Sequence, residues 1–547
     1  MKKMSSLLAG LSLLFTVSVM SQDFNWATQA GGNGTDQGYD ISMDGNGNIY
    51  VCGWFTETVQ FGSETLISFG MQDIFIACYD TSGVFKWAKQ AGSDENEVSA
   101  GIVTNPDGYS FITGWFSGNA DFDEHSITSA GSYDIYVAKY DPNGNCLWVN
   151  GGGGEQDDYG NRITLANDGG CCIGGSFRGE ISIGGHSLGS MGDRDILLTH
   201  FSANGDVACA KSAGGTGEDR AYGIYQDDDG NYYLTGFYTG TAYFDSYDLT
   251  SPAIISSFVA KMNNQGVFQW VQSAGGSAND FARGFEIAPD DEGNLVATGF
   301  FSNVLNVAGH SIVSNGGQFD FDIYLLKFDY EGTVTWARNA GGYGMDHGRD
   351  LFVLPNGEIY LTGFFSGTGF FGEIMVEASG MADVFMAKYD TYGEIDCMVV
   401  GGGLGNDYGY GITGDGLGNL YLTGVFEDDA TFGGTVLQAV GDKDIFVAKI
   451  PGETSGVSTG ALPGGMIIYP NPAKDMLVIN PGNSFKGRKD FKYQISDMAG
   501  ELLAGSGELK FAGQDIFQVD ISALKPGSYI VRVFGEGFSY SQKVIIE

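Results

Sequence analysis

The sequence predicts an all-β chain: a seven-bladed β-propeller closed by its N-terminal strand, followed by a small immunoglobulin-like β-sandwich. Three observations carry this. A period of 61 residues runs through most of the chain. Each period reads as about four short strands, and no stretch sustains a helical repeat. The period stops near Ile450, and a module of different charge and pattern follows.

The period has three independent markers. A Trp slot recurs at Trp26, Trp87, Trp148, Cys209, Trp270, Trp336 and Cys397, in steps of 61 except for one of 66. A glycine in a T-G-(W/F)-F-like strand recurs at Gly53, Gly114, Gly175, Gly236, Gly299, Gly363 and Gly424. A D-I-F-V-A-K segment starts at Asp73, Asp134, Asp195, Asp322, Asp383 and Asp444, with Ser256 in its place in the fourth copy. Residues 48–55 (NIYVCGWF), 73–79 and 84–89 alternate or are β-branched and aromatic, as strands are. Six residues before each T-G glycine stands another glycine, from Gly47 to Gly418, which suits a tight hairpin needing positive φ. An extra short hairpin is expected around Phe61-Gly62. Repeats of four strands suit radial sheets. The chain enters on the Trp strand at Trp26 and leaves after the 444–449 strand, so the first strand would complete the last sheet.

The pattern W…GG…D…D-G-N-x-Y-x-T-G…D-x-F-V-A-K-Y-D-x-x-G resembles the bacterial seven-bladed β-propeller (SBBP) repeat, over roughly residues 24–450. The resemblance implies the fold and an extracellular setting, and no defined activity.

Residues 1–21 read as a signal peptide, with Lys2 and Lys3 before an apolar stretch from Leu7 to Val19, too short to span a bilayer. Residues 22–450 are the propeller, 451–465 a Pro/Gly/Ser/Thr-rich linker, and 466–547 a separate domain. That last domain carries Tyr469-Pro470-Asn471-Pro472, an Asp497-to-Gly500 turn, Pro526-Gly527-x-Tyr529 and a terminal strand with Lys543. In this order it looks like the type A C-terminal sorting domain of the Por (type IX) secretion system of Bacteroidota. The resemblance implies passage through the periplasm, export by the type IX machinery as partner, and an extracellular or outer cell-surface address.

The formal net charge is −40, from 67 acidic and 27 basic residues. Binding to nucleic acid or to anionic lipid through a basic face is therefore not expected, and polyanionic ligands would need bridging cations. Outside the signal segment no apolar run is long enough for a membrane span. Seven cysteines form no metal-ligand spacing; Cys52 and Cys78, in one repeat, would pair only if their strands met in register.

Ten residues after each Trp slot stands an acid: Asp36, Glu97, Asp158, Asp219, Asp280, Asp346 and Asp407. A small residue follows two positions later, which suits an innermost strand and places the acids near a channel mouth. They are candidates for a cation site, with calcium the cofactor to consider, or for a polar rim. The alternative is that each accepts hydrogen bonds from backbone N–H groups of its own Gly-rich turn or of the adjoining blade. The fifth repeat is longest before its D-I-F-V-A-K strand, and Gln318, Phe319, Asp320 and Phe321 there are candidate ligand contacts. There is no G-x-S-x-G, H-E-x-x-H, P-loop or sialidase-type Asp-box. The expected function is thus a secreted or surface-displayed, non-catalytic propeller that binds glycan or protein. The alternatives are a glycan-degrading enzyme, since a carboxylate pair is not excluded by 67 acids, and a purely structural surface component.

Overall fold

The computed structural model describes residues 23–452 except 291, 318, 319 and 417, and in the C-terminal unit residues 467–469, 474, 476–480, 492–497, 502–508, 510–511, 517–522, 524–525, 527–535 and 538–546. The chain divides into two compact units at Gly452/Glu453. The 1–21 segment and nearly all of the 451–465 linker lie outside the described residues.

The first unit is built only of strands among the described residues. Its first repeat contains β1 (Trp26–Gly32), β2 (Asp36–Met43), β3 (Asn48–Phe55), β4 (Thr58–Phe61), β5 (Glu64–Ile67), β6 (Asp73–Asp80) and β7 (Phe85–Ala91). β2, β3, β6 and β7 form an antiparallel meander, and the same four-strand order recurs in every later repeat. In the last repeat the fourth place belongs to β1. Trp26 stands opposite Lys449 and Ala30 opposite Ile445. The β4–β5 hairpin reaches back instead and pairs Val59 and Gln60 with Gly32 and Gly31 of β1. This extra hairpin is the one expected around Phe61-Gly62.

Each sequence marker has a local cause. The indole N–H of Trp26 donates to the carbonyl of Thr81, in the turn of the next meander, at 3.3 Å; Trp87, Trp148 and Trp336 do the same to Pro142, Ala203 and Thr391. The rings lie against the turn glycines Gly83, Gly144, Gly205 and Gly393. Where Cys209 replaces Trp, its counterpart Gly266 faces open space. Gly47 has φ +81° and caps the β2–β3 turn, with equivalents in all seven repeats. The T-G glycine answers a different need. β2 has a register shift between Gly38 and Asp40, and this bulge pushes a carbonyl toward β3. A Cβ on Gly363 would sit 1.9 Å from the His347 carbonyl oxygen, and on Gly53 1.8 Å from that of Gln37. Gly363→Ala is therefore expected to cost about 2–4 kcal/mol. Urea unfolding checks this, and a change below 0.5 kcal/mol would contradict the steric account.

Neighbouring meanders pack face to face through apolar layers. One layer joins Ile49, Val51 and Phe75 of the first repeat to Tyr421, Ile445 and Val447 of the last. Parallel bridges, such as Gln72 to Asn96 and Phe321 to Met345, stitch successive repeats. Cys78 lies opposite Tyr50 and Cys52 opposite Ile76, so the two thiols are out of register and remain free, as are the other five.

The C-terminal unit has two four-stranded sheets. Leu477, Ile479, Phe517 and Val519 from one sheet pack with Ile495, Val531 and Val533 from the other, the two-layer arrangement expected of a sandwich. The Tyr529 hydroxyl donates to the Lys525 carbonyl at 2.6 Å. Tyr469 and Asp497 end their strands, Gly527 begins one, and Lys543 lies opposite Ile530 in the last pair. Pro470, Asn471, Pro472, Gly500 and Pro526 lie outside the described residues.

Candidate ligand pocket

The β2-equivalent strands decide what lies at the centre of the repeats. Before its bulge, such a strand alternates. The acid ten residues after the Trp slot points away from the centre, and the next residue points toward it. The seven acids are consequently not a rim. Asp36, Glu97, Asp158, Asp219, Asp346 and Asp407 are fully buried and Asp280 is 1 % exposed. Each is held at its own junction. Asp407 accepts N–H bonds from Gly403 at 2.6 Å and Glu427 at 3.1 Å. Asp158 accepts from Gly154 and Arg178, Asp219 from Gly215 and Thr239, and Asp346 from Gly342 and Ser366. Glu97 binds both the N–H and the hydroxyl of Ser93, Asp280 the N–H of Ser277, and Asp36 the N–H of Thr56. The acids directly precede cavity-lining residues on the inner strand, and the strand's alternation turns their own side chains into the junctions. Among the described residues no three His, Cys, Asp or Glu side chains come together as a metal site, so the seven acids do not converge on one ion.

In six repeats the acid has a second buried carboxylate beside it, the D-I-F-V-A-K aspartate. A Cβ on the intervening Gly402 would lie 2.7 Å from Asp383 Oδ1 and 2.8 Å from Asp407 Oδ2. Asp383 Oδ2 accepts the Ser379 N–H at 2.8 Å, while its Oδ1 is buried without a partner. The Oδ1 atoms of Asp73, Asp134, Asp195, Asp322 and Asp444 are likewise buried and unpartnered. Burial, followed by the neighbouring charge, pushes Asp36 up to about 8. Burial similarly pushes Asp158, Asp219 and Asp407 to about 7 against the opposing N–H bonds.

The residue three positions beyond each acid faces inward. Tyr39, Ala100, Asn161, Tyr222, Arg283, Arg349 and Tyr410, one from each repeat, all line a single cavity of about 670 Å³. The position just after the acid adds Tyr159, Arg220, Phe281 and His347. Trp115 and Phe300, beside the T-G glycines, complete its aromatic wall. Of the candidate contacts, Phe321 lines this cavity, 4.9 Å from Phe300 by ring centroids. Asp320 does not line it, and Gln318 and Phe319 lie outside the described residues.

Arg162 binds three carboxylates from three other repeats at this wall. It lies 2.9 Å from Asp40, 2.9 Å from Glu286 and 3.6 Å from Asp350. Burial raises the pKa of both Glu286 and Asp350, opposed by Arg162, while the three carboxylates raise that of Arg162. Arg220 is paired with Glu218. Arg283 and Arg349 have no carboxylate within ion-pair distance among the described residues. Their guanidinium carbons lie over aromatic rings instead, Arg283 4.6 Å from Phe237 and Arg349 4.3 Å from Phe285. Arg349 Nε is buried without a hydrogen-bond partner. His347 is 7 % exposed and stacks on Phe300 at 4.2 Å, and neither ring nitrogen has a partner. Burial first, then Arg349 and Arg283, hold its pKa well below the ordinary histidine value, so it is neutral at pH 7.

Two arginines without a carboxylate partner among the described residues thus line one cavity of a chain whose net charge is −40. Sequence reasoning missed these positions by following residues that repeat. The available signal was the opposite one, a slot that changes from Tyr to Ala, Asn and Arg just after a position that is always small.

Among curated proteins, the chain is 22 % identical over 444 residues to the uncharacterized WD repeat-containing protein L264 of Acanthamoeba polyphaga mimivirus, covering 65 % of this chain and 32 % of that protein. It is 24 % identical over 341 residues to the regulatory protein FlaEY of Caulobacter vibrioides, covering 59 % and 35 %. The chain thus spans about a third of the length of these relatives. A crystal structure of a protein of unknown function from Dyadobacter fermentans aligns at 10 % identity and a TM-score of 0.37, covering 78 % of this chain and 98 % of that one. Residues 25–54 match the β-propeller repeat (SBBP) family and residues 467–547 the secretion system C-terminal sorting domain family. No helix among the described residues is long and apolar enough to cross a membrane. The chain thus carries a β-propeller repeat and a secretion-system C-terminal sorting domain, which indicates export to the cell surface or the extracellular space.

Proposed function

We propose that the repeats form a closed seven-bladed propeller that binds a glycan or protein ligand, without catalysis, in the pocket onto which its inner strands converge. Closure is supported by the pairing of β1 with the Asp444–Ile450 strand and by the apolar layer shared between first and last repeats. The observation that carries the binding reading is the cavity itself. All seven repeats contribute the same slot to it, and that slot holds different side chains in different repeats. The walls combine aromatic faces with polar groups, as ligand pockets do.

The test uses the full chain on glycan and peptide arrays, with a polysaccharide panel assayed for released reducing ends. Saturable binding without turnover is expected, with Trp115 fluorescence changing on binding because that indole lines the cavity. Release of reducing ends would instead establish a glycan-degrading enzyme. Neither binding nor turnover would leave a structural surface component.

A further inference from the structure

Resting on that reading, we infer that the pocket recognises a carboxylate-bearing sugar ring, with Arg349 and Arg283 as its anion contacts. Three features of the wall converge on this chemistry. The first is charge. Arg349 and Arg283 lie on adjacent repeats at the same slot, each stacked on a ring and unpaired with any acid among the described residues. A guanidinium is always charged and presents a planar fork of donors, which matches the two oxygens of a carboxylate entering here.

The second feature is His347. A buried imidazole with both nitrogens unpartnered is costly unless something completes its hydrogen bonds. In the neutral form it offers one donor and one acceptor. That pair suits a hydroxyl, which can accept and donate, and does not suit a second carboxylate, which only accepts. Asn161 on another repeat also lines the cavity, its Nδ2 donating to the Ala221 carbonyl at 2.7 Å. The third feature is the flat apolar surface. Trp115, half-buried, presents its indole to the cavity for an aliphatic C–H face, while one face each of Phe300 and Phe285 is covered by His347 and Arg349. A uronate residue combines all three requirements: one carboxylate, several hydroxyls and an apolar ring face. The cavity volume of about 670 Å³ admits a short saccharide.

The experiment titrates the full chain with glucuronate- and galacturonate-bearing oligosaccharides, their neutral glucose and galactose counterparts, and a peptide ending in an aromatic residue with a free C-terminus. Calorimetry and Trp115 fluorescence report binding. The expected result is that a uronate oligosaccharide binds at least about 30-fold more tightly than its neutral counterpart, and that Arg349→Met weakens the uronate far more than the neutral sugar, so that the preference falls below about 3-fold. Arg283→Met should reduce the preference independently, so the inference does not hang on one variant folding. His347→Phe keeps the stack and should weaken acidic and neutral sugars alike. Equal binding of acidic and neutral sugars would overturn the anion assignment while leaving the binding pocket intact. Arg349-dependent binding of the peptide but not of uronates would overturn the sugar assignment. Binding of none of these probes would overturn the inference, and the arrays would then decide separately whether the pocket binds at all.

Discussion

The melting temperature of the full chain should fall by about 5–10 °C between pH 5.5 and pH 8. The cause is the set of buried carboxylate pairs between repeats. Burial holds Asp73 and Asp195 at about 6, Glu97, Asp158, Asp219, Asp322 and Asp407 at about 7, and Asp36 at about 8. A carboxyl raised on folding takes up a proton when the chain folds. Its contribution to stability is therefore complete below the unfolded value near 4 and is lost as pH rises through the folded value. The opposite limb comes from exposed turn acids such as Asp80 and Asp141, held low by N–H bonds from their own turns despite some burial. Their contribution disappears only in acid, so maximum stability lies near about pH 5.

Asp383→Asn isolates one pair. The amide keeps an oxygen to accept the Ser379 N–H and places its nitrogen where Oδ1 now lies unpartnered beside Asp407. This variant should gain about 1–2 kcal/mol at pH 8 and nothing at pH 5. The chain already contains a version of this change: the fourth repeat has Ser256 in the aspartate slot, and its hydroxyl bonds Ser251 at 2.7 Å. A melting temperature that rises from pH 5.5 to pH 8, or equal effects of Asp383→Asn at both values, would contradict the account.

Arg162→Met should destabilise the protein by about 3–5 kcal/mol at pH 8, the largest effect expected from a single inward-facing side chain. The guanidinium is 13 % exposed and is shared by Asp40, Glu286 and Asp350. Removing it leaves three buried acids facing one another. Much of the loss should return at pH 5, because burial already raises Glu286 and Asp350 and the loss of Arg162 raises them further. Arg349→Met makes the contrast. That guanidinium has no acid to abandon among the described residues, and its Nε is buried and unpartnered. The protein should be as stable or more so without it. Denaturant titrations of both variants at two pH values distinguish the roles, and equal losses would show that Arg349 is also structural.

This pair of arginines shows what a single chain can and cannot disclose. The repeat period, the strand order, the extra hairpin, the glycine turns and the export module follow from local rules: alternation, positive φ, and motifs with fixed spacing. Those rules act over a few residues, so they are written in consecutive sequence. Even the Trp and T-G markers were legible as positions, though their reasons lie elsewhere in the fold, in a turn carbonyl about 55 residues away and in a bulged neighbour strand.

Side-chain direction at the centre was not legible. Asp407, His347 and Arg349 occupy equivalent or nearly equivalent stretches of the inner strand, yet the first is buried at a junction and the other two line the cavity. Pleat alternation and the one-residue bulge decide which, and neither can be read without the partner strand. Nor does net charge report where the charges lie. The acids spread over seven junctions and many turns, while a few arginines meet because strands 61 or more residues apart converge on one cavity. The strand repeat and the sorting domain were determined by the sequence itself; the cavity exists only through tertiary convergence, because a 61-residue repeat separates in sequence what the inner strands bring together in space.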